Sequence, residues 1–202
     1  MINIFGTPIY ISNILNIKEY ENNLINLDYE RTNFNNGYVS VDKYVLNNEK
    51  NINIKKIVTE HLNNYLYDQL KIKKNIKFKM LNSWSVKHVQ NDWSQMHFHD
   101  NSFISGILYL KTYENSGNLI FHKNILLDIF PSSVSIDFEE KNHINSKTIS
   151  FEPKDGNIIF FPSQLSHSVS LNLNEKDRYC CSFNFYPEGT FGNKESLNEV
   201  HI

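Results

Sequence analysis

The chain has 202 residues, enough for one domain with a real core and too few for two comfortable ones. Hydrophobic residues make up 40% and charged residues 21%, the balance of a globular chain rather than a disordered one. The formal charge of −2 gives no general attraction to nucleic acid or to an anionic membrane surface. No apolar run approaches the roughly eighteen residues of a membrane span. The opening Met1-Ile2-Asn3-Ile4-Phe5-Gly6 lacks the basic segment and long apolar stretch of a signal peptide. Alanine is absent while Asn, Ile and Lys are frequent, a bias of AT-rich coding that lowers the weight of any single Asn. Cys180 and Cys181 are adjacent, and a bridge between them demands a strained peptide. They read as reduced residues on opposite faces of one strand, in a cytoplasmic protein.

Residues 1–14 alternate apolar and polar and predict a short strand pair or an extended arm. Ile17, Tyr20, Leu24 and Ile25 have helical spacing and predict a short helix over 17–27. Residues 32–37 read as a loop, with Asn35-Asn36-Gly37 as its turn signal. The clearest helix spans 51–71, where Ile54, Ile57, Val58, Leu62, Tyr65, Leu66 and Leu70 form one apolar stripe, with His61 at its border. Such a stripe needs a sheet to lie on. From residue 75 the period drops to two. Strands are predicted at 76–89, 96–99, 103–111, 118–121, 146–151, 157–161, 166–173 and 179–186, with turn signals such as Asn115-Ser116-Gly117 and Asp155-Gly156 between them. The interval 122–145 has the length of a binding loop or lid. The expectation is a mainly β fold with N-terminal helices: one domain over 1–202, with 1–75 as helical support and 76–190 as a jelly-roll core.

Within that core, Met96-His97-Phe98-His99-Asp100 carries two histidines two apart. On a strand they share a face, and imidazole is a common ligand of iron, zinc and copper. A lone His-x-His is weak, because most such pairs are surface or hydrogen-bonded histidines. Support comes from further along. Residues 156–163 read as a buried strand stopped by Pro162, and His167 opens the next strand between Leu165 and Val169. Arg178 opens the strand after that; a hairpin sets it beside the strand of His167, and its planar fork suits a carboxylate. Two ligands from one strand end and a third from another would leave positions open on a metal, the logic of non-haem iron(II) oxygenases.

In these residues the sequence resembles the iron(II)/2-oxoglutarate-dependent oxygenases, and most nearly a branch of them found in bacteria and phages. The resemblance runs through Phe5-Gly6-Thr7-Pro8-Ile9-Tyr10, Ser83-Trp84 and His97-x-His99-x-x-Ser102-x-x-Ser105-Gly106-x-x-Tyr109-Leu110. It continues through Phe161-Pro162-Ser163-x-x-x-His167, Arg178 and Ser182-Phe183-Asn184, in the same order over nearly the whole chain. It implies a double-stranded β-helix, the cupin-like jelly roll with the metal between its two sheets. It implies a dioxygenase, a hydroxylase using Fe(II), dioxygen and the cosubstrate 2-oxoglutarate. His97 and His167 would ligate iron, and Arg178 would pair with the distal carboxylate of 2-oxoglutarate. The second ligand is usually Asp or Glu; here His99 stands in that place, with Asp100 beside it as the alternative. Tyr109 and Ser182 are the preferred helpers of Arg178, and Asn82, Ser102 and Asn184 are further candidates to bond the cosubstrate. Trp84, Trp93 and Phe98 are expected to pack, and His88, His122, His143 and His201 to lie on the surface or in loops.

Two rival readings stand beside this one: a cupin-type three-histidine metal site without 2-oxoglutarate, and a jelly-roll binding module without catalysis. Arg178 separates them, because a cosubstrate-free site has no evident need of a cation there. No Gly-x-Ser-x-Gly elbow, phosphate loop or dinucleotide fingerprint competes. The primary substrate is open, no nucleic-acid or membrane partner is expected, and a homodimer is compatible with the sequence.

Overall fold

The computed structural model describes residues 6–33, 36–124 and 136–202. Phe5 of the N-terminal motif, Asn35 of the turn and the 125–135 part of the expected binding loop lie outside the described residues. In chain order the elements are β1 (Tyr10–Asn13), α1 (Lys18–Ile25), β2 (Tyr29–Thr32), β3 (Gly37–Ser40), α2 (Ile52–Asn63), β4 (Lys77–His88), β5 (Ser94–His97) and β6 (Ile104–Lys111). They continue with β7 (Leu119–His122), β8 (Thr148–Phe151), β9 (Asn157–Pro162), β10 (His167–Val169), β11 (Arg178–Glu188), β12 (Thr190–Phe191) and β13 (Val200–His201). A seven-stranded sheet has the order β1-β9-β6-β11-β4-β3-β2, and a four-stranded sheet the order β5-β10-β7-β8. The pairing of these strands is antiparallel, and the two sheets form the jelly roll.

Strand β11 lies at the centre of the large sheet, between β4 and β6. Its alternation decides what each face holds. Cys181, Phe183 and Phe185 join Ile104, Leu108 and Phe160 on the side covered by Ile54, Val58 and Leu62 of α2. Cys180 joins Ile107, Tyr109, Phe161, Leu119, Phe121 and Val169 in a second apolar layer between the sheets. Both faces of the large sheet are therefore covered, and Ile104 to Leu110 is one unbroken buried run. The two cysteines fall on opposite faces, each buried and unbridged. No helix among the described residues is long and apolar enough to cross a membrane.

The first 75 residues are not only a helical support. They contribute β1, β2 and β3 to the large sheet, and β1 pairs with β9 from Tyr10↔Phe160 to Asn13↔Asn157. The β2–β3 hairpin escapes pattern reading because β2 is an edge strand, Tyr-Glu-Arg-Thr, with both central residues exposed. The long helix gives way after Asn63 to a π-helical turn over Asn64–Gln69. Strand β5 begins at Ser94 and ends at His97, so His99 lies just beyond it, and β10 is only three residues long.

Gly106 marks where packing is tightest. A Cβ there would clash with the Phe183 ring and lie 2.8 Å from Phe160 Cδ1. Both rings are fully buried in the helix-side core and have no room to retreat. Gly106→Ala is therefore expected to destabilise the fold by about 1–3 kcal/mol, the usual penalty of overpacking. A urea unfolding curve with a lowered midpoint and unchanged slope checks this.

Candidate active site

His97 ends β5 and His167 begins β10, and the two are paired directly across the strands. His99 is held close by its own N–H, which donates to the Ser163 carbonyl at 2.9 Å. The ring centroids lie 4.3 Å apart for His97 and His167, 5.1 Å for His99 and His167, and 5.4 Å for His97 and His99. One ring nitrogen from each lies within 4.8 Å of the others, a spacing that one metal ion can bridge.

Each ring is oriented from behind. His97 Nδ1 bonds the Gln95 carbonyl at 2.7 Å, and His167 Nδ1 bonds the Leu165 carbonyl at 2.9 Å. His99 Nδ1 lies 2.7 Å from Asn184 Oδ1 and 2.8 Å from Ser105 Oγ. With Nδ1 committed in each ring, Nε2 is the nitrogen left to serve as a ligand, as in metal-binding histidines fixed by a second hydrogen bond. Burial lowers the pKa of all three, and the other two rings help push His167 down to about 3. The folded chain thus holds three neutral imidazoles, the form that a cation needs.

The triad opens on a pocket between the sheets that encloses about 460 Å³, part of it continuous with solvent. Its large-sheet wall is made by residues of three neighbouring strands: Trp84 and Val86 on β4, Ile107 and Tyr109 on β6, Cys180 and Ser182 on β11. Arg178 lines it too, only 1% exposed. Its Nη1 donates to the Gly117 carbonyl at 3.2 Å, and its Cζ lies 5.7 Å from the centre of the Tyr109 ring. No carboxylate pairs with it among the described residues. Arg178 Nε and Tyr109 Oη are both buried without a hydrogen-bond partner among the described residues.

A buried cation, an unsatisfied phenol and three neutral imidazoles on one pocket fit an anionic metal chelator. The family described as "Putative 2OG-Fe(II) oxygenase" matches residues 82–184, just over half of the chain, a span holding the triad and Arg178. The chain belongs to this family of 2-oxoglutarate–Fe(II) oxygenases. No curated protein matches it. Among solved structures, the non-haem alpha-ketoglutarate-dependent epimerase SnoN from nogalamycin biosynthesis is 10% identical at a TM-score of 0.65, with 93% of this chain and 79% of that chain covered. HygX from Streptomyces hygroscopicus, solved with nickel, 2-oxoglutarate and hygromycin B, is 11% identical at 0.61, with 89% and 82% covered. The viral collagen prolyl hydroxylase of Paramecium Bursaria Chlorella virus-1, solved as its 2OG complex, is 12% identical at 0.51, with 87% and 95% covered. At such identities the likeness is one of fold.

This oxygenase gathers His97, His99, His167, Arg178, Tyr109 and Ser182 around one pocket. Asn82 and Asn184, expected to bond the cosubstrate, are not among the residues that line this pocket. Asn184 Oδ1 faces His99, and its Nδ2 donates to Asn82 Oδ1 at 3.0 Å, so the pair backs the triad instead. Ser102 joins a hydroxyl chain with Ser163 and Ser105 that ends on His99. Asp100 is exposed and outside the cluster. Trp84 does form a wall, but Trp93 and Phe98 are about half exposed rather than packed. His88, expected on the surface or in a loop, ends β4 and is fully buried opposite Arg178. Sequence reasoning also missed Ser94, which lines the pocket; three residues before His97, it is out of step with period two.

In the oxygenase, burial first and the charge of Arg178 next push the pKa of His88 down to about 2 from its ordinary 6.5. Above pH 6.5 such a ring is neutral whether the chain is folded or not. Below it the unfolded chain takes up a proton that the folded chain refuses, so stability falls with falling pH. The metal-free protein is expected to lose about 1.4 kcal/mol per pH unit per refused proton below pH 6.5. His88→Gln should reduce that slope, as measured by urea unfolding between pH 7.5 and 5.

Proposed function

We propose that this oxygenase is an Fe(II)- and 2-oxoglutarate-dependent dioxygenase, a hydroxylase, whose iron is held by Nε2 of His97, His99 and His167. Arg178, with Tyr109 and Ser182, receives the distal carboxylate of 2-oxoglutarate. One observation carries the reading: a buried guanidinium without an acidic partner among the described residues lines the same pocket as the three neutral imidazoles. A cupin-type site without cosubstrate would leave that charge unused.

Bound together, iron and 2-oxoglutarate supply the activation of dioxygen, with succinate and carbon dioxide released as an oxygen atom enters the substrate. The chain's own residues bind, orient and exclude water. Arg178 fixes the far end of the cosubstrate, and its burial makes that attraction stronger than between exposed charges. Tyr109 stays a protonated donor, because burial raises its pKa far above neutrality. Ile107, Val86 and Val169 line the same pocket with apolar surface, which keeps solvent from the reacting end. Asn184 and Ser105 hold the His99 ring for coordination. Two buried, unbridged thiols suit a reducing compartment, which supports a cytoplasmic location.

Anaerobic addition of Fe(II) and then 2-oxoglutarate should produce the visible charge-transfer band of the chelate. His167→Ala is expected to abolish it. Arg178→Ala should weaken 2-oxoglutarate binding by tenfold or more while leaving iron affinity within a few-fold; equal loss of both would remove Arg178 from the cosubstrate. Asn184→Ala should lower iron affinity about 10- to 100-fold through the unsupported His99 ring, measured by competition with a chelator.

A further inference from the structure

Three buried polar atoms without partners among the described residues belong to neighbouring side chains: Arg178 Nε, Tyr109 Oη and His88 Nδ1. Each unsatisfied group of this kind costs about 1–3 kcal/mol. A carboxylate in the pocket accounts for the first two. It does not by itself account for a histidine.

His88 continues the inward series Trp84, Val86, His88 along β4 and lies directly across the strands from Arg178. Its Nε2 is 3.3 Å from Ser94 Oγ, and Ser94, itself 5% exposed, lines the pocket. Ser94 reaches the pocket through an irregularity in the small sheet. The pairs His167↔His97 and Val169↔Ser94 set three steps along β5 against two along β10. That extra residue is a β-bulge, which re-aims a side chain and brings Ser94 onto the pocket side together with His97.

The ring of His88 is neutral, since burial and two arginines oppose its protonation. It therefore has one N–H and one lone pair to place. An unpaired buried N–H is rarer in folded proteins than an unpaired acceptor. That puts the proton on Nε2, donating to Ser94 Oγ, and the lone pair on the unpartnered Nδ1. The hydroxyl hydrogen of Ser94 is then left to point into the pocket.

We propose that His88 is a positioning residue of the cosubstrate site, holding Ser94 so that its hydroxyl donates to the distal carboxylate received by Arg178 and Tyr109. This rests on the reading of Arg178 as the carboxylate site. Donors then converge from β5, β6 and β11, and the pocket selects a 2-oxo dicarboxylic acid over a 2-oxo monocarboxylic acid of equal chain length.

The test uses the full chain loaded with Fe(II) under anaerobic conditions, titrated with 2-oxoglutarate and separately with 2-oxopentanoate, following the visible band. Ser94→Ala is expected to weaken 2-oxoglutarate about tenfold and leave 2-oxopentanoate unchanged, whereas Ser94→Thr retains the hydroxyl and the affinity. His88→Asn should show the same selective loss, and His88→Asn with Ser94→Ala no more than the larger single effect. Should His88→Asn fail to fold, the two Ser94 variants decide the matter. Unchanged 2-oxoglutarate affinity in Ser94→Ala, beside a clear loss in Arg178→Ala, overturns the role of His88 and Ser94 and leaves the cosubstrate reading standing. Equal weakening of both acids marks general damage to the pocket and overturns it too. A parent chain that gives no band with 2-oxoglutarate removes both readings.

Discussion

A guanidinium taken out of water loses several kcal/mol of hydration, which only hydrogen bonds and counter-charge can restore. Arg178 is almost wholly buried, yet its partners are a carbonyl, a thiol at 4.0 Å and the neighbourhood of an aromatic ring, none of them anionic. The residue opens the central strand of the large sheet, and its backbone is held by pairing with His88 of β4. The imbalance then shapes its surroundings. It opposes a positive charge on His88, and the Tyr109 hydroxyl beside it has no partner among the described residues. What is unfavourable in the empty pocket becomes complementarity once an anion enters.

The triad at the same pocket has the opposite character. Its three rings are neutral, and no carboxylate belongs to the cluster among the described residues. A divalent ion held there would keep its full charge and would stand on one pocket with a fixed cation. Under the proposed function, the two carboxylates of 2-oxoglutarate answer those two centres, one at the metal and one at Arg178. Cation and cosubstrate then form a single electrostatic unit, with the protein supplying geometry more than counter-charge.

Much of this was legible in the residues. The stripe of Ile54, Val58 and Leu62, the buried run from Ile104 to Leu110 and the opposed cysteines follow from periodicity alone. The meeting of His97, His99 and His167 was legible from spacing and resemblance, although the strand phase behind it was not. Strand β5 stops at His97, and a backbone bond to Ser163 does what strand alternation was expected to do. Other features depend on neighbours distant in sequence. His88 is buried because it faces Arg178 and Asn172, ninety and eighty-four residues on. Ser94 reaches the pocket through a bulge that no local pattern announces. Asn184 turns to His99 because β11 passes beside Ser105, and Asn bias across the chain hid that role among many neutral Asn residues.

Strand β5 is an outer strand of the small sheet, four residues long, joined to the remainder through the three residues of β10. Its outward side chains include Met96, 62% exposed, with Phe98 just beyond. An unprotected sheet margin bearing apolar groups is a template for adhesion between chains. An ion gripped by residues of both strands would act as a rivet at that margin, holding it against fraying. Under the proposed function, loss of the ion would loosen that margin, so that the solubility of this protein would track its metal supply.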